Sequence, residues 1–497
     1  MALTLAMNDS NFNISSGINL AYITHDGNDS GGSPITKYKF RYLLDLTYTI
    51  DNNGTLPTTK TVSFTQQQNQ DGAGIFSLSE IYQSTVSPMI VSRFKADAPA
   101  TTVPNQYASI HNMPNDNTAI GKLFSWGVLS NAIGMEAFKG NANVMNLKFY
   151  EMYATTSGGI PTKQVWSEKE KTIFMMWGRG QEDEGVVIDF SQYELDGTSK
   201  KFLSSNYNNV STDKFNINIG ANEYHTIAFL NRCAINTSAD TYRIKVQYFD
   251  SANSSLGSLY LNNTTTSGGA YYTTASDGED ESFYLYAGIG LDNLQKIDTS
   301  EASYSGTLPD SVAGGRSAIA YYVVKIQTSA GVDMSARYDF TITSYCDRYE
   351  QSRLAYMNRF GAWEYITLNR EKTEELKIKR ESITKPLINQ ASSFAQFGDA
   401  YLNSVYPLDV AKQGTMTTSV KGTETFTLFT DNLKDYEIEQ IKDLMLSPQI
   451  HLLDGANAKA LMLETSNMKL KGDKNTGLFK YELKFKYANP KHRQTLS

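Results

Sequence analysis

The sequence is poor in the residues that carry chemistry in clusters. Among 497 residues there are 2 cysteines, Cys233 and Cys346. No Cys-x-x-Cys pair or Cys/His cluster occurs, so no zinc site is expected, and the spacing gives no reason for a disulfide. Two buried free thiols are the expectation. The 5 histidines, His25, His111, His225, His451 and His492, form no i, i+4 pair and no HExxH motif. Each reads as a turn or surface residue rather than a ligand or base. A nucleophile elbow GxSxG, a phosphate loop GxxxxGKS/T and a GxGxxG turn opening a helix are all missing, so no cofactor is expected.

Long apolar runs are missing as well. Met1–Met7 is apolar but lacks a basic flank and is interrupted at Asp9. It reads as neither a signal peptide nor a membrane anchor. No later run approaches the length of a membrane span, and the chain is expected to be made in a cytoplasm. The formal charge of −7 gives no electrostatic reason to bind nucleic acid. The acidic run Asp277–Glu281 lacks the ligand spacing of an EF-hand and reads as a solvated loop. A glycosidase needs only two carboxylates positioned by the fold, and 52 Asp and Glu residues offer no way to nominate a pair. The expectation is that the chain is not an enzyme.

What the chain does have is aromatic and turn-forming residues. Tyr (31) and Phe (23) dominate an aromatic share of 12%, a mix that suits pleated, half-buried surfaces better than helices. The apolar share of 40% is sufficient for packed cores at this length. The expected fold class is mainly β and multidomain, with antiparallel β-sandwich domains and a C-terminal α+β unit carrying one helix on an antiparallel sheet.

Taken in order, residues 1–34 are polar and end in Gly27-Asn28-Asp29-Ser30-Gly31-Gly32-Ser33-Pro34, which reads as an arm or loop. Residues 35–86 read as a small β-sandwich unit. Tyr38, Phe40, Tyr42, Leu44, Leu46, Tyr48 and Ile50 alternate along a strand, and Thr59–Phe64 returns as its partner. Ser77 is a candidate cap for a short helical piece over Leu78–Tyr82. Residues 87–345 read as a central sandwich or jelly roll, with strands expected at Asn146–Tyr153, Thr172–Trp177, Gly185–Phe190, Glu223–Leu230, Tyr242–Asp250, Ser282–Ala287 and Ala318–Gln327. Residues 346–497 read as the α+β unit. There Lys372–Lys385 pairs with Thr417–Phe429, and a helix capped by Thr430 or Asp431 sets Leu433, Ile438, Ile441, Leu444 and Met445 on one face. The strand Phe479–Tyr487 closes the sheet.

Between the last two regions lies Tyr338–Glu371. Tyr356 and Phe360 precede Gly361, and Trp363 and Tyr365 follow it. A glycine so bracketed fits a bend or a close backbone approach between apolar segments. These residues, Tyr356, Phe360, Gly361, Trp363 and Tyr365, are the candidate structural joint, read as a core hairpin. Asp347, Arg348, Glu350, Arg353, Arg359 and Glu364 are interleaved with the aromatics, and the arginines and glutamates are left to pair locally or across a subunit boundary.

Three stretches carry a resemblance: Lys37–Tyr42 with Asp71–Ser79, Leu354–Tyr365, and Leu444–Leu452 with the closing aromatic strand. In these the chain resembles virion structural proteins of tailed bacteriophages, of the podovirus-like and crAss-like groups. The likeness leaves the middle of the chain uncovered. It implies a component of the virion tail or neck (a ring, connector or hub) made in the host cytoplasm. The implied partners are copies of itself and other tail or neck proteins, with no membrane and no specific nucleic acid. Residues 1–34 or the 261–281 loops are then expected to order against adjacent subunits. A receptor- or carbohydrate-binding virion adhesin is the alternative, and a polysaccharide depolymerase a third reading.

Overall fold

The computed structural model describes residues 3–7, 12–16, 19–52, 55–86, 92–94, 107–109, 111, 142–180, 190–205, 209–211, 213–230, 243–262, 284–297, 304–328, 330–344, 349–384, 415–430, 433, 435–455, 457–467, 480–489 and 492–495. The fold is mainly β, built of several packed, largely antiparallel sheets, with three short α-helices among the described residues.

The N-terminal part holds β1 (Leu3–Ala6), β2 (Phe12–Ser16), β3 (Leu20–His25), β4 (Tyr38–Asn52), β5 (Thr55–Gln66), β6 (Gly74–Ser77), α1 (Ser79–Thr85), β7 (Ser92–Phe94), β8 (Tyr107–Ser109), β9 (Ala142–Ala154) and β10 (Thr162–Arg179). One sheet has the order β1-β3-β6, a second β2-β10-β9-β4-β5, and β7 pairs with β8. The alternation read along β4 buries Tyr42, Leu44 and Leu46 in a core shared with Ile23, Phe76, Tyr82, Leu147 and Phe149. The second sheet draws strands from all three of the segments 1–34, 35–86 and 87–345. β2 runs parallel to β10 with Phe12 opposite Phe174, and β9 lies antiparallel to β4 with Leu147 opposite Leu46.

Residues 1–34, expected as an arm or loop, therefore contribute three strands. Their Leu3, Ile14, Ala21 and Ile23 are buried, and the Asn, Ser and Gly between them hide that short alternation in the sequence. Ser77 does not cap α1, because it ends β6. Leu78 holds the N-cap position with no side-chain hydrogen bond, and the Ser79 hydroxyl instead accepts the Asn19 N–H.

The middle part holds β11 (Asn209–Ser211), β12 (Lys214–Ile219), β13 (Thr226–Leu230), β14 (Arg243–Phe249), β15 (Ser255–Asn262), β16 (Tyr284–Gly288), α2 (Leu291–Gln295), β17 (Tyr304–Gly306), β18 (Tyr321–Gln327) and β19 (Arg337–Ile342). A seven-stranded sheet has the order β11-β12-β19-β18-β14-β15-β17, and β13 pairs with β16. The alternate residues Ile244, Val246 and Tyr248 of β14 are buried against Tyr322, Val324 and Phe340. Cys233, Cys346, Asp277–Glu281, most of the 261–281 loops and all but Phe190 of Gly185–Phe190 lie outside the described residues. Phe190 itself begins a short 3-10 turn.

The C-terminal part holds β20 (Ser352–Met357), β21 (Trp363–Leu368), β22 (Lys372–Thr384), β23 (Thr415–Phe429), α3 (Asp435–Met445), β24 (Ile450–Asp454), β25 (Asn457–Leu463), β26 (Glu482–Tyr487) and β27 (His492–Thr495). The sheet order is β21-β20-β24-β25-β26-β23-β22, with β27 also on β23. The helix buries Ile438, Ile441 and Leu444 against Leu354, Tyr356, Phe426, Leu428 and Phe485. Thr430 serves the sheet rather than the helix cap, since its hydroxyl accepts the Tyr481 N–H at 2.8 Å.

Candidate functional site

The hairpin β20–β21 turns at Asn358–Ala362, and its tip is held from three directions. Within the turn, Asn358 N–H donates to the Ala362 carbonyl at 2.8 Å, and Gly361 N–H to the Asn358 carbonyl at 3.0 Å. The Asn358 side-chain oxygen accepts the Phe360 and Ala362 N–H groups at 2.9 and 3.0 Å. Gly361 has φ +74°, and a Cβ there would meet the Trp177 carbonyl oxygen at 2.3 Å. That is the close backbone approach for which glycine is required.

From the N-terminal part, Arg179 N–H donates to the Arg359 carbonyl at 2.7 Å. From the middle, the Tyr286 hydroxyl donates to the Gly361 carbonyl at 3.2 Å. From the C-terminal helix, Asp443 pairs with Arg179 at 2.8 Å and accepts the Arg359 N–H at 3.4 Å.

Every one of the five bracketing residues is buried, and they divide between two cores. Tyr356 joins Leu354 in the C-terminal core. Phe360, Trp363 and Tyr365 join Ile14, Phe174, Met176, Tyr193, Leu203 and Tyr286 in a second one, and Gly361 lies between them against Trp177. A strand alternates sides at every residue, so β20 and β21 form the wall between two packed layers.

The polar residues interleaved with these aromatics form a buried network. Glu364 is 5% exposed and accepts hydrogen bonds from the Ser204 hydroxyl at 2.6 Å, the Ser205 N–H at 2.9 Å, the Ser205 hydroxyl, and the Asn358 amide at 3.1 Å. Burial pushes its carboxyl above the usual range, and those donors pull it back. Arg353 pairs with Glu223 at 3.0 Å and donates to Thr367 at 2.9 Å, while Thr367 donates to Glu223 at 2.7 Å. Its other guanidinium nitrogen lies 3.1 Å from His225 Nδ1.

Three of the five histidines meet here, contrary to the expectation of turn or surface positions. His111, His225 and His451 are buried. His111 Nδ1 lies 2.9 Å from the Tyr365 hydroxyl, and its Nε2 lies 3.0 Å from His451 Nδ1. Trp363 stacks on His451 with ring centroids 4.9 Å apart and meets His111 edge-on at 4.7 Å. Asn293 ties the group to α2, accepting the His225 N–H at 2.9 Å and donating to the His111 carbonyl at 3.1 Å.

Burial holds His111 and His225 well below the ordinary imidazole range, with Arg353 adding to both and His451 to His111. Burial alone lowers His451 to about 4. Neutral imidazole has one donor and one acceptor. The single His111–His451 contact therefore takes one proton, and two charged rings would set N–H against N–H. Elsewhere, His25 packs on Phe40 at 4.4 Å and accepts the Gly27 N–H at 3.0 Å, a turn role. The His492 side chain lies outside the described residues.

This arrangement locks elements together. Ring nitrogens, guanidinium and carboxylate are directed at one another, and no group of three or more His, Cys, Asp or Glu placed to hold a metal occurs among the described residues. The contacts join His111 to Tyr365 and His451 over 254 and 340 positions, a separation that no local motif can signal. Arg353 left one legible trace, as a cation at the head of the otherwise apolar Leu354–Met357 run. A charge in such a strand needs a buried partner.

Comparison with family models finds no match, and comparison with curated proteins finds none either. Among solved structures, dimeric latent PorU from Porphyromonas gingivalis aligns at 7% identity with a TM-score of 0.16, covering 92% of this chain and 33% of that one. The chain thus spans about a third of that protein's length, and a likeness at this level carries no fold or functional argument.

Proposed function

We propose that the chain is a structural component of a bacteriophage virion, a tail or neck ring, connector or hub protein that assembles with copies of itself and joins other tail proteins. The resemblance of the three stretches supplies the virion context. One structural observation supports an assembly role: β22 runs for 13 residues at the edge of its sheet and is exposed along almost its whole length. A long exposed edge strand is a template for pairing with another chain. The three-way lock at the β20–β21 tip suits such a role, because a subunit that passes load between neighbours needs its parts held in one orientation.

Particle shape tests the reading. The purified protein is expected to form closed rings in negative-stain electron microscopy. Slender trimers that bind host glycans would overturn it in favour of an adhesin, and a monomer at all concentrations would overturn it outright.

A further inference from the structure

We infer that β22 pairs antiparallel with β22 of a second copy about a two-fold axis at Lys377, extending the eight-stranded sheet across the contact. Among the described residues the strand has one hydrogen-bonded neighbour, β23, and nearly all of its side chains are exposed. Leu376 and Ile378, each 52% exposed, are apolar side chains on one face of it. The charged residues around them, Lys377 between the two included, blunt chance pairing, so a partner strand must match their pattern of charge.

Residues directly opposite in an antiparallel pair interact most strongly, and a two-fold contact makes every such pair twice. With the axis at Lys377, Leu376 lies opposite Ile378 of the second copy, Glu374 opposite its Arg380, and Glu375 opposite its Lys379. Both symmetric copies of the apolar pair close into one cluster. Moving the axis to Ile378 sets Glu375 against Glu381 and Lys377 against Lys379. Moving it to Leu376 keeps Glu375 opposite Lys377 but sets Lys372 against Arg380 and Glu371 against Glu381. Of these registers, Lys377 alone leaves no carboxylate opposite a carboxylate.

Two features of the isolated chain fit this register. Arg380 has no ion-pair partner among the described residues, and Glu374 of the second copy, which holds Lys372 of its own strand at 2.8 Å, places a carboxylate opposite it. Lys379 lies opposite Lys421 within its own hairpin, a like-charge pair that Glu375 of the second copy offsets from the other side. The one unfavourable pair is Lys377 with itself, flanked by its own Glu375 at 4.0 Å.

The inference deepens the assembly reading and rests on it only in requiring a second copy. Cysteine cross-linking tests it in the full-length protein with Cys233 and Cys346 replaced by serine. Opposite residues have Cα atoms about 4.5–5.5 Å apart, within disulfide reach. Lys377→Cys is expected to form a covalent dimer under mild oxidation, and Glu375→Cys is not. Cross-linking at both positions, or at neither, overturns the register.

Charge reversal gives a second readout. Glu374→Arg should weaken the dimer about tenfold in sedimentation, and Glu374→Arg/Arg380→Glu should restore it. An unchanged Glu374→Arg dimer, or no restoration, overturns the pairing. Rings without Lys377→Cys dimers overturn the pairing and leave the virion reading intact. Dimers without rings do the reverse.

Discussion

Gly361 and Trp177 meet backbone to backbone, with so little room that a β-carbon on Gly361 would sit 2.3 Å from the Trp177 carbonyl oxygen. Gly361→Ala therefore carries two costs, a left-handed backbone at φ +74° and a clash with an atom that β10 holds in place. The left-handed conformation alone costs roughly 1–2 kcal/mol. A total loss of about 3 kcal/mol or more is expected by urea denaturation, and a loss below about 1 kcal/mol would show that the tip relaxes freely.

Trp363 is 4% exposed and stacks on His451. Trp363→Ala is expected to destabilise by about 3–5 kcal/mol, from lost burial and the cavity left behind. Unchanged melting combined with failed assembly would reassign Trp363 from core to subunit interface.

Acid should loosen the histidine network. The folded-state imidazoles of His111, His225 and His451 are depressed, so the unfolded chain binds protons that the folded one refuses. Their contribution is complete above about pH 6.5, the unfolded value, and shrinks as pH falls below it, for His451 down to about 4. The slope is up to about 1.4 kcal/mol per pH unit for each histidine. Glu364 and Glu151, raised by burial, act in the opposite sense above about pH 4.5 and make the slope shallower. Urea midpoints measured from about pH 7.5 to about 4.5 should fall, and His451→Gln should flatten part of that fall. A flat profile for the parent protein would contradict the buried neutral assignment.

Lys37 and Glu151 form an ion pair at 2.7 Å with both side chains buried. Lys37→Met strands a carboxylate in the N-terminal part and should cost about 3–5 kcal/mol. Lys37→Met/Glu151→Met removes both charges and should recover most of that loss in the same assay. Equal losses for the single and double variants would mean that packing of the lysine stem, not charge, holds the site.

Features set by local periodicity can be read from the order of residues. The alternation along β4, the pairing of Lys372–Lys385 with Thr417–Phe429 (observed as Lys372–Thr384 with Thr415–Phe429), the apolar face of α3 and the turn glycine among aromatics are all legible, because each repeats every two or about 3.6 residues or sits at one bend. Tertiary structure alone decided what depends on residues far apart. β2 lies parallel to β10, Glu364 is satisfied by Ser204 and Ser205, and His111 meets His451 across 340 positions. No period encodes these contacts. They arise because buried polar groups must find partners wherever the packed sheets bring them, and that choice exists only once the chain has folded.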